Sequence, residues 1–231
     1  MLGSLLALGL LLGLKHALEA DHVSTVATLA SRSASTRQTV RVAAAWGLGH
    51  AVSLALLGTV LAVLGATLPD RAARILELLV GVILVALGIG VLRRLIAKRV
   101  HVHVHEHDGL RHLHAHAHQA AAADDAAAHD HAHLPLLWKR SLAIGGVHGL
   151  AGTAAITVLA LPVTRSAAQA LLYLTVFGIG SMLGMVALSF VVSLPFSAAG
   201  RHLGRIGLGL QALLGAADIA IGAWVVVAAI R

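Results

Sequence analysis

The sequence predicts an all-α integral membrane protein: six transmembrane helices arranged as two inverted three-helix repeats. Composition is the first reason. Of 231 residues, 58% are hydrophobic and 12% charged, with mean hydropathy +0.87; a soluble domain carries roughly a quarter charged residues. The second reason is a set of six apolar stretches, each near the 20 or so residues needed to cross a hydrocarbon core of about 30 Å. The third is a likeness between the two halves of the chain.

The stretches are 2–28, 43–66, 75–95, 139–161, 168–194 and 206–229. Each is expected to be helical, because a helix satisfies its own backbone hydrogen bonds in lipid. Pro69, Pro135, Pro162 and Pro195 fall at the expected span ends, where a missing N–H costs least. Most of the 24 glycines lie within the spans, as close helix–helix contact in membranes favours. Trp138 and Trp224, near span ends, are expected at the membrane–water interface. The first stretch has neither a basic leading segment nor a small-residue cleavage site, so it is expected to remain as a span. The chain thus divides into a first three-helix repeat (1–96), a His-rich loop (97–138) and a second repeat (139–231).

The repeat is read from three alignments. "GLKHALEADHVSTVATLA" (13–30) aligns with "GGVHGLAGTAAITVLALP" (145–162), pairing His16 with His148. "WGLGHAV" (46–52) aligns with "FGIGSML" (177–183), pairing His50 with Ser181. Gly81 and Gly88 align with Gly215 and Gly222. The offsets are 132, 131 and 134, nearly constant. An odd number of spans per repeat forces the halves into opposite orientations, a common plan among transporters, whose sites lie near the midplane where the halves meet.

Charge sets the expected orientation. Arg32, Arg37, Arg41, Arg93, Arg94, Lys98, Arg99, Arg111, Lys139, Arg140, Arg201 and Arg205 lie in or beside loops one, three and five. The opposite side holds Arg71, Arg74, Arg165 and Arg231. The positive-inside bias places loops one, three and five in the cytoplasm and both termini outside, in the cell's inner (plasma) membrane. That bias also accounts for the net charge of +7, so nucleic acid is not an expected partner. The absence of cysteine excludes disulfides, thiolate metal sites and thiol redox chemistry.

One segment breaks the apolar pattern. In "KHALEADH" (15–22) five of eight residues are ionisable. On a helix, His16, Glu19, Asp21, His22, Thr25 and Thr28 would cover about 240° of the circumference. Such a surface must be enclosed by protein or border a wet cavity, since intramembrane ionisable groups mark ion paths or paired structural sites. Imidazole and carboxylate together bind divalent first-row metals such as nickel, cobalt and zinc. His16, Asp21, His22 and His50 are the candidate ligands, with Glu19 and His148 as weaker ones. On an unbroken helix His16 and His22 would stand about 9 Å apart along the axis and about 120° apart around it. They can share an ion only if the helix bends or breaks between them, as helices at transporter sites often do. Asp218, in span six, has no counterpart in the other half and is expected to serve packing rather than proton transfer. Lys15 is expected to snorkel or to pair with Glu19.

"HALEADH" (16–22) resembles the H-x-x-x-x-D-H signature of the nickel/cobalt transporter family, and "LGH" (48–50) resembles that family's second motif. Lys15 stands where the family has arginine, and the chain is shorter by two spans. "GGVHGLAGTAAI" with "FGIGSMLGM" is more similar to short six-span, urease-accessory-type relatives. The resemblance extends to membrane thiol-reductant transporters, which require paired cysteines that this chain lacks. It implies a divalent-metal permease with His16, Asp21, His22 and His50 in the metal path.

The loop holds eleven of the sixteen histidines: His101, His103, His105, His107, His112, His114, His116, His118, His129, His131 and His133. It is expected to be a disordered cytoplasmic tract that buffers metal with low affinity and little selectivity. The resulting expectation is transport of Ni2+ or Co2+, in the uptake direction, with no resident cofactor and no enzymatic activity. The lipid bilayer, the ion and nickel-enzyme maturation proteins are the expected partners. Efflux of the same ions is one alternative; a non-transporting accessory that hands metal to an enzyme such as urease is another. No H-E-x-x-H motif supports a membrane hydrolase, and no ATP-binding motif supplies energy.

Overall fold

A computed structural model of the chain describes residues 2–31, 35–97, 100–107, 110–117, 134–160, 166–202 and 204–231. It contains helices α1 (Leu2–His16), α2 (Ala20–Ser31), α3 (Thr36–Leu64), α4 (Asp70–Ala97), α5 (Leu134–Ala160), α6 (Ala167–His202) and α7 (Gly204–Ile230). Two strands, β1 (Val100–His107) and β2 (Leu110–Ala117), lie between α4 and α5. The expectations for Pro162, Arg32, Lys98, Arg99, Arg165, His118, His129, His131 and His133 fall outside the described residues.

The membrane part is all-helical and multi-pass. Among the described residues four helical stretches are long and apolar enough to cross a bilayer: Thr36–Leu64, Asp70–Ile96, Ala167–Leu194 and Gly207–Ile230. The pair α1 and α2 passes the same test jointly, bent by 59°. Helix α5, 27 residues long, lies along α3. Leu11, Leu56, Val60 and Leu213 are more than half exposed, an apolar outer surface of the kind that faces lipid.

Local chemistry sets the ends. Ser35 caps α3, its hydroxyl accepting from the Gln38 N–H, and Gly65 closes it at φ 60°, a left-handed conformation that glycine adopts without steric cost. Pro135 sits in the first turn of α5, where its missing N–H would be unpaired anyway.

The first stretch is not one continuous helix, so the break that two histidines six residues apart require is present. After His16 the chain tightens: Leu18 N donates to Lys15 O and Glu19 N to His16 O, both bonds of the i→i+3 type. The Glu19 carbonyl then accepts from Val23 N and opens α2. Pro195 directly follows the apolar span Ala167–Leu194, and α6 runs on past it to His202; proline deletes one backbone bond, and the turns on either side carry the helix past it. Within the His-rich segment β1 pairs with β2 in antiparallel fashion; residues 98–99, 108–109 and 118–133 of it lie outside the described residues. Alternating β-branched residues in "VHVHVHEH" suit a strand, and the Asp-Gly at 108–109 is a strong hairpin signal in sequence.

The helices pack as α1 on α6, α3 between α5 and α6, and α4 on α7. One core cluster joins Leu54, Ile156, Tyr173, Leu174 and Phe177; a second joins Ala17, Val26, Trp46 and Met185. Backbones approach where glycine removes the side chain. A Cβ on Gly145 would strike the Trp46 carbonyl, and one on Gly13 the Phe177 carbonyl. Gly49 stands against Leu142, and Gly180 against Leu10. Gly81 meets Gly222, and Gly88 meets Gly215. Within each of these three couples, one contact becomes the other when residues are exchanged by the sequence offsets 132, 131 and 134.

Candidate metal centre

The break in the first span builds the site. It turns α2 by 59° from the line of α1, and the His16 and His22 rings lie 4.4 Å apart, centroid to centroid. His50, from the middle of α3, stands 5.3 Å from His16 and 5.1 Å from His22. His148, from α5, is 4.6 Å from His22. All four imidazoles are buried. Phe177 lies 5.4 Å from the His16 ring, and Trp46 the same distance from both His22 and His148, so aromatic faces wall the cluster.

The two carboxylates of the motif reach the back of these rings. His16 Nδ1 donates to Glu19 Oε2 at 3.0 Å. His22 donates twice to Asp21 Oδ1, from its backbone N and from Nδ1, each at 2.9 Å. His148 Nε2 donates to Asp21 Oδ2 at 2.7 Å. Both oxygens of Asp21 are therefore engaged by imidazoles. The His22 backbone N–H is also one of the donors that a helix start leaves without an internal partner. Asp21 thus stabilises the restart of the helix and orients two rings.

What remains is a set of open nitrogens. His16 Nε2, His22 Nε2 and both ring nitrogens of His50 are buried with no hydrogen-bond partner among the described residues. Buried polar atoms are normally paired, and an unpaired one calls for a specific explanation such as an ion. Ligand-capable atoms of His16, His22 and His50 lie within 4.8 Å of one another, as do those of Asp21, His22 and His148. Nitrogens at about 2.1 Å from a tetrahedral ion stand about 3.4 Å apart, a contraction that small ring rotations supply. A carboxylate on one ring nitrogen with the other left free is the usual arrangement behind a metal-bound histidine.

A cavity of about 410 Å³ reaches the cluster. Its polar lining is His16, Glu19, Asp21, His22, His148 and Glu77; Val80, Ile156 and Trp224 supply apolar wall. Glu77 belongs to α4 and escaped the sequence reading. The available signal was a lone carboxylate inside a mostly apolar helix, which by its cost alone is a functional candidate.

Asp218 is fully buried and accepts hydrogen bonds from the Ser24 and Thr28 hydroxyls. These contacts tie α7 to α2. Of the residues singled out in the sequence, the structure brings His16, Glu19, Asp21, His22, His50 and His148 together.

Comparison with known proteins agrees with the membrane architecture. The model of a family described as the cytochrome C biogenesis protein transmembrane region matches residues 4–224. The chain is 34% identical over 200 residues to the urease accessory protein UreH of Bacillus sp. (strain TB-90), covering 87% of this chain and 81% of that protein. No solved structure matches.

Proposed function

The chain belongs to the family of cytochrome c biogenesis protein transmembrane regions, and for this member we propose transport of divalent nickel or cobalt, in the direction of uptake. The observation that carries the reading is the convergence of open, buried imidazole nitrogens from α1, α2 and α3. A site enclosed in a membrane helix bundle and built of neutral nitrogen donors suits borderline first-row ions. With no cysteine in the chain, thiol relay chemistry is excluded.

In this reading the hydrated ion enters the cavity past Glu77 and Glu19 and loses part of its water. It binds His16 Nε2, His22 Nε2 and a nitrogen of His50. Asp21 orients rings rather than ligating, because its oxygens are already taken. Glu19 does the same for His16. His148 supports the cluster through Asp21. A site of few protein ligands holds the ion firmly enough to select it and loosely enough to release it, the balance that conduction requires.

The same reading takes α5 as a span, for six in all, and the two halves as inverted repeats. The reciprocal glycine contacts support this, since a two-fold relation demands that contacts occur in exchanged couples. Loops one, three and five are then cytoplasmic, together with the His-rich segment.

The test is radioactive nickel or cobalt uptake into vesicles holding the purified protein. His16→Ala and His22→Ala should each cut transport at least about ten-fold, the lower end of what loss of a metal-site group costs, with unchanged insertion. Full transport by both variants rejects the site. Direction is read from a deletion strain, which is metal-starved for uptake and metal-sensitive for efflux. The role named for the relative, a urease accessory protein, favours a second reading in which metal is handed to an enzyme without transport. Removal of 101–133 would then abolish delivery, whereas a permease would keep its flux.

A further inference from the structure

Helix α5 carries His148, Gly152 and Ile156 at four-residue intervals, which puts them on one face. All three line the cavity that reaches the imidazoles. Elsewhere on α5 glycine serves packing: a Cβ on Gly145 or Gly149 would strike a carbonyl of α3. Gly152 differs. The three atoms nearest to a Cβ there all belong to imidazoles: His16 Nε2 at 3.8 Å, His50 Cε1 at 3.9 Å and His16 Cε1 at 4.0 Å. These are ordinary contact distances, so helix packing does not demand glycine at 152. What a side chain there would take is room beside the open nitrogen of His16.

We propose that Gly152 is a specificity-determining residue of the metal centre: its missing side chain lets the ion keep several water ligands on the α5 side, which favours nickel over zinc. The inference rests on the proposed transport site and names how that site selects. His16, His22 and His50 supply three nitrogen donors. Zinc completes a tetrahedron with one more ligand, whereas nickel takes tetragonal sites with a larger donor set, and water must supply the rest. Donors about 2.1 Å from an ion and at right angles stand about 3 Å apart. A retained water beside the His16 nitrogen therefore needs the side of the cavity that a methyl group at 152 would fill. The cavity, about 410 Å³, has room for such waters at about 30 Å³ each.

The experiment compares the purified full-length protein with Gly152→Ala. Gly146→Ala controls for helix propensity, since a Cβ on Gly146 meets nothing within 4 Å. Nickel and zinc affinities are read by equilibrium dialysis, each as the difference from His16→Ala/His22→Ala, so that ions held elsewhere on the chain cancel. Gly152→Ala should lower the nickel-to-zinc affinity ratio at least about ten-fold, the scale on which groups around a bound metal act. Gly146→Ala should leave the ratio unchanged. The visible spectrum of bound Co2+, taken as the same difference, reports the number of ligands. The parent should show the weak bands of a six-coordinate ion, and Gly152→Ala the intense bands of a four-coordinate one. Intense bands in the parent would overturn the inference, and that reading stands even if Gly152→Ala is not recovered folded. An unchanged ratio or an unchanged spectrum in Gly152→Ala would overturn it too, while leaving the site intact. Binding that survives in full in His16→Ala/His22→Ala rejects the site itself, and the role of Gly152 with it.

Discussion

At His22 two demands meet. The ring is 1% exposed in a part of the chain meant for lipid, yet it is neither packed as an apolar group nor fully hydrogen-bonded. One nitrogen is held by Asp21 and the other is open. Asp21 is the residue through which this arrangement can be tested. Asp21→Asn keeps size and one acceptor but turns an amide N–H2 toward one imidazole. Nickel affinity in equilibrium dialysis should fall about 10- to 100-fold, the range for outer partners of metal-bound histidine, with the folded protein still recovered. Unchanged affinity would mean the carboxylate does not orient the rings. Glu77 works at longer range, from the cavity lining. Glu77→Gln should raise the half-saturating nickel concentration about three- to ten-fold, leave the maximal rate unchanged, and lose its effect at high salt, as screened attraction of a cation requires. A changed maximal rate at equal half-saturation would place Glu77 in a later step.

At the scale of elements, the site depends on how closely helices approach. His50 and His148 reach one centre because α3 and α5 touch at backbone distance beside Gly145 and Gly149. Adjacent glycines provide an internal control. A Cβ on Gly145 would strike the Trp46 carbonyl, whereas one on Gly146 meets nothing within 4 Å. Gly145→Ala should lower stability by about 1–3 kcal/mol, the usual cost of overpacking. Gly146→Ala should be neutral or stabilising by up to about 1 kcal/mol, from helix propensity. Thermal unfolding of both in detergent decides; equal midpoints would refute the close approach. The break between α1 and α2 is the other decisive element. It was legible only as a condition, that two histidines six residues apart could share an ion if the helix failed between them. Nothing local in "HALEADH" announces it: no proline or glycine lies between the two histidines. The backbone yields there because Glu19 and Asp21 are placed to serve the freed donors and the rings.

Across the whole molecule, a scaffold with exchanged contacts carries chemistry that is not exchanged. His16 aligns with His148, but His50 aligns with Ser181 and Asp218 with Leu84. The imidazoles therefore gather around the first-half helices, while both halves supply the packing. Orientation is testable because the chain has no cysteine to remove. A single cysteine at Arg71→Cys should react with a membrane-impermeant maleimide added to intact cells, and one at Arg111→Cys should react only after the membrane is opened. The reverse pattern would invert the proposed topology and, with it, the side on which the His-rich segment lies.

By itself the sequence determined the solvent of this protein, the helical state of its membrane segments and the kinds of atom at its centre. Those follow from short-range facts: apolar length, the need to satisfy backbone groups in lipid, and the chemical identity of side chains. The tertiary structure alone decided that four histidines from four helices converge, that Asp21 grips rings, and that Glu77 shares their cavity. Convergence is set by packing among helices from both halves of the chain and by a break with no local sequence mark, and neither is written in any single stretch of the chain.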